Sequence, residues 1–204
     1  MTSLRRLRAL PPARLALDGR AAADLRFIRE TMERSAAFTA VPGKGGVAMG
    51  AVGCAGAALA SVQTTAPAWL VVWVATAAVA SVVGTVALWR KARAAGLPMS
   101  CGVGARFVGG LCPPLVAGAA ITLALFRADA TATLPAVWLA LYGTGLLAAG
   151  LFSARVVRVL GASFLTLGLA AAGAPTAWGD ALMAAGFGGL HLCFGAAIWR
   201  RHGG

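Results

Sequence analysis

The feature that most constrains the fold of this chain is a series of six long apolar runs with almost no charged residues. An α-helix needs about 20 apolar residues to cross the roughly 30 Å hydrocarbon core of a bilayer, and the runs are of about this length. They also lack the two-residue alternation of a membrane β-barrel. The predicted spans are residues 46–64, 67–89, 107–126, 134–153, 156–174 and 179–199. The sequence therefore predicts an all-α, polytopic membrane protein with six transmembrane helices.

The composition supports this fold class. Charged residues make up 12% of the chain and hydrophobic residues 59%, whereas soluble domains carry about 25% charged residues. The net charge is +12, and nine of the 18 Lys and Arg residues lie in residues 1–45. Most of the others lie in short gaps between apolar runs, which is typical of positive charge facing anionic lipid headgroups. We therefore expect a lipid bilayer and its anionic headgroups as partners, and no nucleic acid.

The loops alternate between basic and uncharged, which predicts the orientation. The SVQTTAPA and APTAWGD loops carry no basic residue, and the RADATATLPA loop has Arg127 offset by Asp129. The basic segments contain Arg90, Lys91, Arg93, Arg106, Arg155, Arg158, Arg200 and Arg201. Because basic loops stay on the cytoplasmic side, we expect both termini there, in the inner plasma membrane of a bacterium.

The chain divides into a basic arm, residues 1–45, and the six-helix domain, residues 46–204. The arm has no apolar core of the kind found in a secretory signal. Residues 24–38 are helical in composition, with one apolar stripe and charges on the other faces. The stripe consists of Leu25, Ile28, Met32 and Ala36. Such a helix lies on the inner leaflet or docks on a soluble partner, so we predict an N-terminal amphipathic cytoplasmic helix.

His191 is the clearest candidate functional residue, because an ionisable group inside a span is costly and is a functional candidate by default. A neutral imidazole there could bind a metal or haem axially, relay protons, or hydrogen-bond a facing helix. The hydroxyl partners considered for that bond are Tyr142, Thr144, Ser163 and Thr166. Two protein ligands to one haem would require a second chain, because His202 lies in the tail.

Two further features are candidates for a ligand or proton site. Asp180 lies at the start of the sixth span. A carboxylate at this position either stabilises the helix N-terminus or forms a proton path with His191. In span three, Cys112-Pro113-Pro114 removes two backbone donors. Such a break either kinks the helix for packing or marks a substrate site, as in some transporters.

The spans lack the groupings that catalysis in a bilayer usually requires. They contain no Ser/His/acid set, no HExxH and no paired carboxylates, so we expect no enzyme activity. The cysteines show no CxxC spacing, and we expect free thiols, no metal site and no cofactor. They are Cys54, Cys101, Cys112 and Cys193.

Small residues four apart predict close helix packing. The pairs are Gly46/Gly50, Gly53/Ala57, Gly145/Ala149 and Gly189/Cys193. The even spans also share an ending of Gly followed five or six residues later by Arg, which suggests three helical hairpins as an internal repeat.

Two segments carry a resemblance. LRFIRETMERSAAFTAVPGKGGVAMG, residues 25–50, and GFGGLHLCFGAAIWRRHGG, residues 186–204, resemble a group of uncharacterised bacterial inner-membrane proteins with six helices. The resemblance covers residues 25–204 and implies a bacterial plasma-membrane location without a known activity.

These observations lead to three functional hypotheses. The first is a non-catalytic accessory, sensory or assembly component that associates with other membrane subunits or forms a homo-oligomer. The second is a small-solute channel or transporter that uses His191 and the Cys112-Pro113-Pro114 break. The third is a haem- or quinone-binding membrane subunit.

Overall fold

A computed structural model describes residues 24–28, 32, 41–96, 100 and 102–202. The chain divides into two units, Met1–Ala36 and Ala37–Gly204. In the first unit, residues 24–28 and 32 are helical, and Leu25, Ile28 and Met32 are exposed. The rest of the amphipathic helix predicted for residues 24–38, including Ala36, lies outside the described residues. The amphipathic helix therefore stays a prediction.

The second unit consists of helices joined by short turns, with no β-strand among the residues described. The first five helices are α1 (Gly43–Ala60), α2 (Ala66–Ala94), α3 (Gly102–Arg127), α4 (Leu134–Gly150) and α5 (Arg155–Gly173). The sixth, α6, has three consecutive segments: α-helical Gly179–Met183, π-helical Ala184–Leu190 and α-helical His191–His202. Single 3₁₀ turns, Thr131–Thr133 and Thr176–Trp178, precede α4 and α6. The all-α class is confirmed.

Five of these helices are long and apolar enough to cross a membrane. They are Ala66–Ala94, Gly102–Arg127, Thr131–Gly150, Arg155–Gly173 and Thr176–Arg200. The helix outside this set is α1, whose 18 residues include Lys44 and six glycines. The lysine and the glycines lower the mean hydropathy of α1 relative to that of the other helices. The structure is thus compatible with a membrane location.

The helices pack as two groups joined by α6. In one group α1 packs against α2 and α6, and in the other α4 lies between α3 and α5. The first half of α6 also contacts α4 and α5. Because α5 packs most extensively on α4 rather than on α6, the packing differs from three equivalent hairpins.

Close backbone contact joins α1 to α6. A Cβ atom on Gly50 would lie 2.7 Å from the backbone nitrogen of Leu192, and one on Gly46 would lie 3.0 Å from Cα of Gly195. A Cβ on Gly53 would collide with the backbone of Phe187. Gly50 and Gly53 leave no room for a Cβ against the α6 backbone, and the contact at Gly46 is tight, so these three residues set the α1–α6 separation. Gly189, by contrast, lies against open space apart from the carbonyl of Ala184 at 3.9 Å.

The helix interruption lies in α6 rather than at the prolines. The α3 helix is continuous through Pro113 and Pro114, whereas α6 widens to a π-helix over Ala184–Leu190. A π-turn adds one residue per turn and leaves local carbonyls available for other donors, and such turns are frequent at functional sites. The irregular backbone therefore ends immediately before His191.

Candidate ligand-binding cavity

A cavity of about 450 Å³ lies between the helices and is lined by residues of α1, α2, α3, α4 and α6. We call it the interhelical cavity. Its two walls are α2 and α3, which, among the described residues, make no extensive contact with each other. Val74 on α2 and Leu115 on α3 both line the cavity and remain 52% and 43% exposed. The cavity is therefore open along the gap between α2 and α3.

The floor of the interhelical cavity contains a hydrogen-bonded pair, Tyr142 of α4 and His191 of α6. The Tyr142 Oη and His191 Nε2 atoms are 2.9 Å apart. Both residues line the cavity, and His191 is buried at 5% exposure. Of the four hydroxyl partners considered from the sequence, the structure selects Tyr142.

The second ring nitrogen of His191 determines the tautomer. His191 Nδ1 lies 3.2 Å from the backbone oxygen of Phe187, and a carbonyl oxygen can only accept a hydrogen bond. We therefore assign the proton to Nδ1, which leaves Nε2 to accept the hydrogen bond that the Tyr142 hydroxyl donates. A neutral imidazole with two partners is a stable arrangement in apolar surroundings.

Aromatic rings hold the pair in place. Phe164 of α5 is fully buried, and its ring meets Tyr142 edge-on at 4.8 Å and His191 at 5.2 Å between centroids. Phe187 of the π segment lies 5.3 Å from Tyr142 and stacks on His191 at 6.4 Å. Edge-to-face and offset contacts at these separations are favourable. The imidazole and phenol are thus fixed by packing as well as by hydrogen bonds.

Glycines allow the π segment to fit beside this cluster. A Cβ on Gly188 would lie 2.6 Å from Sγ of Cys54, and one on Gly186 would collide with the side chain of Leu139. The segment reads AAGFGGL, so small residues flank Phe187 on both sides and let its ring enter the cluster. The sequence reasoning missed Phe187; the Gly-Phe-Gly-Gly pattern before His191 was the available signal.

A second cavity of about 310 Å³ lies among three connecting loops. We call it the loop vestibule. Its polar lining comes from the α1–α2, α3–α4 and α5–α6 connections and from the start of α6, namely Gln63, Thr64, Thr65, Thr131, Thr176 and Asp180. The three loops that were predicted to share one membrane face therefore lie at one end of the bundle.

Two tryptophans and Asp180 separate the two cavities. Trp69 lines the loop vestibule and Trp73 lines the interhelical cavity. The indole N–H of Trp69 donates to Asp180 Oδ1 at 2.7 Å, and that of Trp73 donates to the same oxygen at 3.3 Å. Asp180 is therefore not only a helix-start carboxylate, because it links α6 to α2.

Trp138 completes the barrier from the α4 side. Its ring stacks on Trp69 with centroids 5.7 Å apart and an interplanar angle of 6°. Its indole N–H donates to Oγ1 of Thr122 at 2.7 Å. The sequence places Trp69 and Trp138 at span ends, where headgroup contact is the usual role, but their rings turn toward each other.

The structure brings together some of the predicted site residues and not others. Tyr142, His191 and Pro114 line the interhelical cavity, and Asp180 lines the loop vestibule. Cys112 and Pro113 are exposed and are not among the lining residues. Cys54, Cys112 and Cys193 are free thiols, as predicted, and Cys101 lies outside the described residues.

The chemistry open to this site is hydrogen bonding to a small molecule. In the described part of the chain, no three His, Cys, Asp or Glu residues converge as metal ligands would. Both ring nitrogens of His191 already have partners, so axial ligation of a haem through Nε2 would first break the bond to Tyr142. The Tyr142 proton is donated to His191 Nε2, but the Tyr142 oxygen can still accept a hydrogen bond from a ligand hydroxyl or N–H group.

Comparisons with protein-family models, with curated proteins and with solved structures find no match to this chain.

Proposed function

We propose that this chain is a non-catalytic integral membrane protein that binds a small, largely apolar molecule in the interhelical cavity, as a sensory or carrier component of a membrane complex. The observation that carries the proposal is the Tyr142–His191 hydrogen bond on the floor of this apolar cavity. Ligand pockets are concave, mostly apolar, about 300–1,000 Å³ in volume and supplied with a few polar groups. The interhelical cavity has each of these properties.

The proposed setting is the inner membrane of a bacterium, crossed six times, with both termini in the cytoplasm. The alternation of basic and uncharged loops supports this orientation. The meeting of the three uncharged or weakly charged loops around the loop vestibule supports α1 as a sixth crossing, since α1 must then run from the opposite end. Its 18 residues lie within the range of about 17–25 found for membrane helices.

The proposed ligand reaches the cavity from the hydrocarbon phase. The gap between α2 and α3 is flanked by exposed apolar side chains such as Val74 and Leu115, and such surfaces face lipid tails in a membrane. A molecule with an apolar tail and a hydroxyl headgroup would donate a hydrogen bond to the Tyr142 oxygen and leave its tail in the gap. A quinol, the reduced form of a quinone, has this chemistry.

Titration with a short-chain quinol, ubiquinol-1, tests the proposal. Trp73 and Trp138 line the cavity, so bound quinol should change the tryptophan fluorescence of the purified protein in nanodiscs. Tyr142→Phe removes the oxygen that accepts the ligand hydroxyl and should weaken binding about fivefold, because one hydrogen bond contributes about 1 kcal/mol. Thr144→Val is the matched control, since the Thr144 hydroxyl donates to Ala140 O of its own helix. A fluorescence change that does not saturate, or equal affinities in the two variants, would overturn the quinol assignment.

A second candidate function is transport of a small solute. It is favoured by the two cavities that lie on either side of Asp180, Trp69 and Trp73. In this role the hydrogen bonds that Trp69 and Trp73 donate to Asp180 keep the two cavities separated. Solute uptake by proteoliposomes containing the purified chain alone would support transport over a purely binding role.

A further inference from the structure

The loop vestibule holds a carboxylate that is balanced only by neutral donors. Asp180 is partly buried, and its two hydrogen bonds from Trp69 and Trp73 both fall on Oδ1. No Lys or Arg is among the described residues that line the vestibule. A partly buried charge without a counter-ion is costly, and a cation that enters restores the balance.

The other lining groups fit an organic cation better than a metal ion. Trp69 supplies an aromatic wall, and indole is the best side chain for cation–π contact. The residues Gln63, Thr64, Thr65 and Thr131 add neutral polar groups to the lining of the same cavity. Divalent cations prefer several carboxylate or carbonyl ligands, whereas Asp180 is the single acid among the described lining residues.

We propose that the loop vestibule binds a small organic ammonium ion, with Asp180 as its counter-charge and Trp69 as its aromatic wall. A volume of about 310 Å³ corresponds to about ten water molecules at roughly 30 Å³ each. A compact ammonium ion with a few carbon substituents therefore fits. This site is separate from the Tyr142–His191 pair, so it does not depend on the quinol assignment.

Direct binding of radiolabelled choline to the purified full chain, measured by scintillation proximity, tests this proposal. Saturable binding is expected, with displacement by unlabelled choline but not by sodium chloride at equal ionic strength. The uncharged analogue in which carbon replaces the quaternary nitrogen should also fail to displace it. Equal displacement by sodium chloride or by the analogue would overturn the proposal, as would the absence of saturable binding.

Two variants locate the site. Asp180→Asn keeps an oxygen acceptor for both indoles and removes the charge, so affinity should fall at least about tenfold, which is about 1.4 kcal/mol. Asp129→Asn makes the same charge change on an exposed loop residue outside the described vestibule lining and should bind as the unaltered protein does. Its backbone has φ 53°, which asparagine tolerates. Unchanged affinity in Asp180→Asn would overturn the assignment. If that variant does not fold, the displacement series on the unaltered protein decides.

Discussion

The Tyr142 hydroxyl and the His191 imidazole are 49 residues apart in sequence and 2.9 Å apart in space. The bond ties α4 to α6, and the carbonyl of Phe187 fixes the imidazole from its other side. This interaction therefore joins the two helix groups of the bundle, as does the stacking of Trp69 on Trp138.

This relationship predicts energetic coupling between the two side chains. Tyr142→Phe leaves Nε2 of His191 without a donor and should lower the free energy of unfolding by about 1–3 kcal/mol. His191→Leu removes both bonds of the imidazole. The double variant should lose less than the sum of the single variants, with a coupling of about 1 kcal/mol, because the bond can be lost only once.

Thermal unfolding in a mild detergent, followed by circular dichroism, measures these differences. Thr144→Val serves again as the control, since its hydroxyl bond stays within α4. Paired with His191→Leu, it should give additive losses. Additivity in the Tyr142 cycle as well would mean that the two side chains do not interact in the folded protein.

The helices could be predicted from the sequence because hydropathy is a local property. The predicted second span, residues 67–89, lies inside α2, which continues to Ala94. The extension beyond Trp89 is polar, and Lys91 Nζ within it donates to the backbone oxygen of Val41 at 3.0 Å. Hydropathy predicts where the apolar run ends. It does not predict where the helix ends, because polar contacts such as that of Lys91 stabilise further helical residues.

The site was less accessible to sequence reasoning, because its contacts join distant segments. Trp69 and Asp180 are 111 residues apart, and nothing near either residue identifies the other as its partner. The π segment of α6 could not be predicted from the sequence either, because a π-helical turn does not require a different amino-acid composition from an α-helical turn. His191 could be identified because a single titratable residue in an apolar run is unusual in itself.

The close approach of α1 and α6 predicts that Gly53 tolerates no side chain. Gly53→Ala places a methyl group against the backbone of Phe187, which cannot rotate away as a side chain could. Such overpacking costs about 1–3 kcal/mol, so the unfolding temperature should fall. Gly109→Ala is the matched control: a Cβ there meets nothing within 4 Å, and alanine is about 0.5–1 kcal/mol better than glycine inside a helix. A Gly53→Ala variant as stable as Gly109→Ala would argue against the α1–α6 contact.

Cysteine accessibility distinguishes six membrane crossings from five. In a variant without the four native cysteines, we expect Thr64→Cys and Thr176→Cys to react with an impermeant thiol reagent from the same face of a vesicle. Ala95→Cys, at the other end of α2, should react from the opposite face. These positions calibrate the assay, because they lie at the ends of helices long and apolar enough to cross.

Val41→Cys then tests α1 itself. If α1 crosses, Val41 reacts from the face opposite Thr64, together with Ala95. If α1 stays on one side, Val41 and Thr64 react from the same face, and the six-crossing topology is wrong. Inverted vesicles should show Val41 and Ala95 outside if the basic loops are cytoplasmic.

The open gap between α2 and α3 predicts that a bulky residue at its edge obstructs the cavity. Val74 lines the cavity at 52% exposure, whereas Val79, on the same helix and also 52% exposed, is not a lining residue. Val74→Trp should therefore reduce ubiquinol-1 affinity at least about tenfold, about 1.4 kcal/mol, while Val79→Trp leaves it unchanged. Both changes add an indole to an exposed site on α2, so their effects on insertion and stability should match. The change in tryptophan fluorescence on titration with ubiquinol-1 measures the affinities, each corrected for the added tryptophan. Equal titration curves in the two variants would mean that the ligand does not occupy the cavity beside Val74, because the new indole obstructs the cavity only at that position.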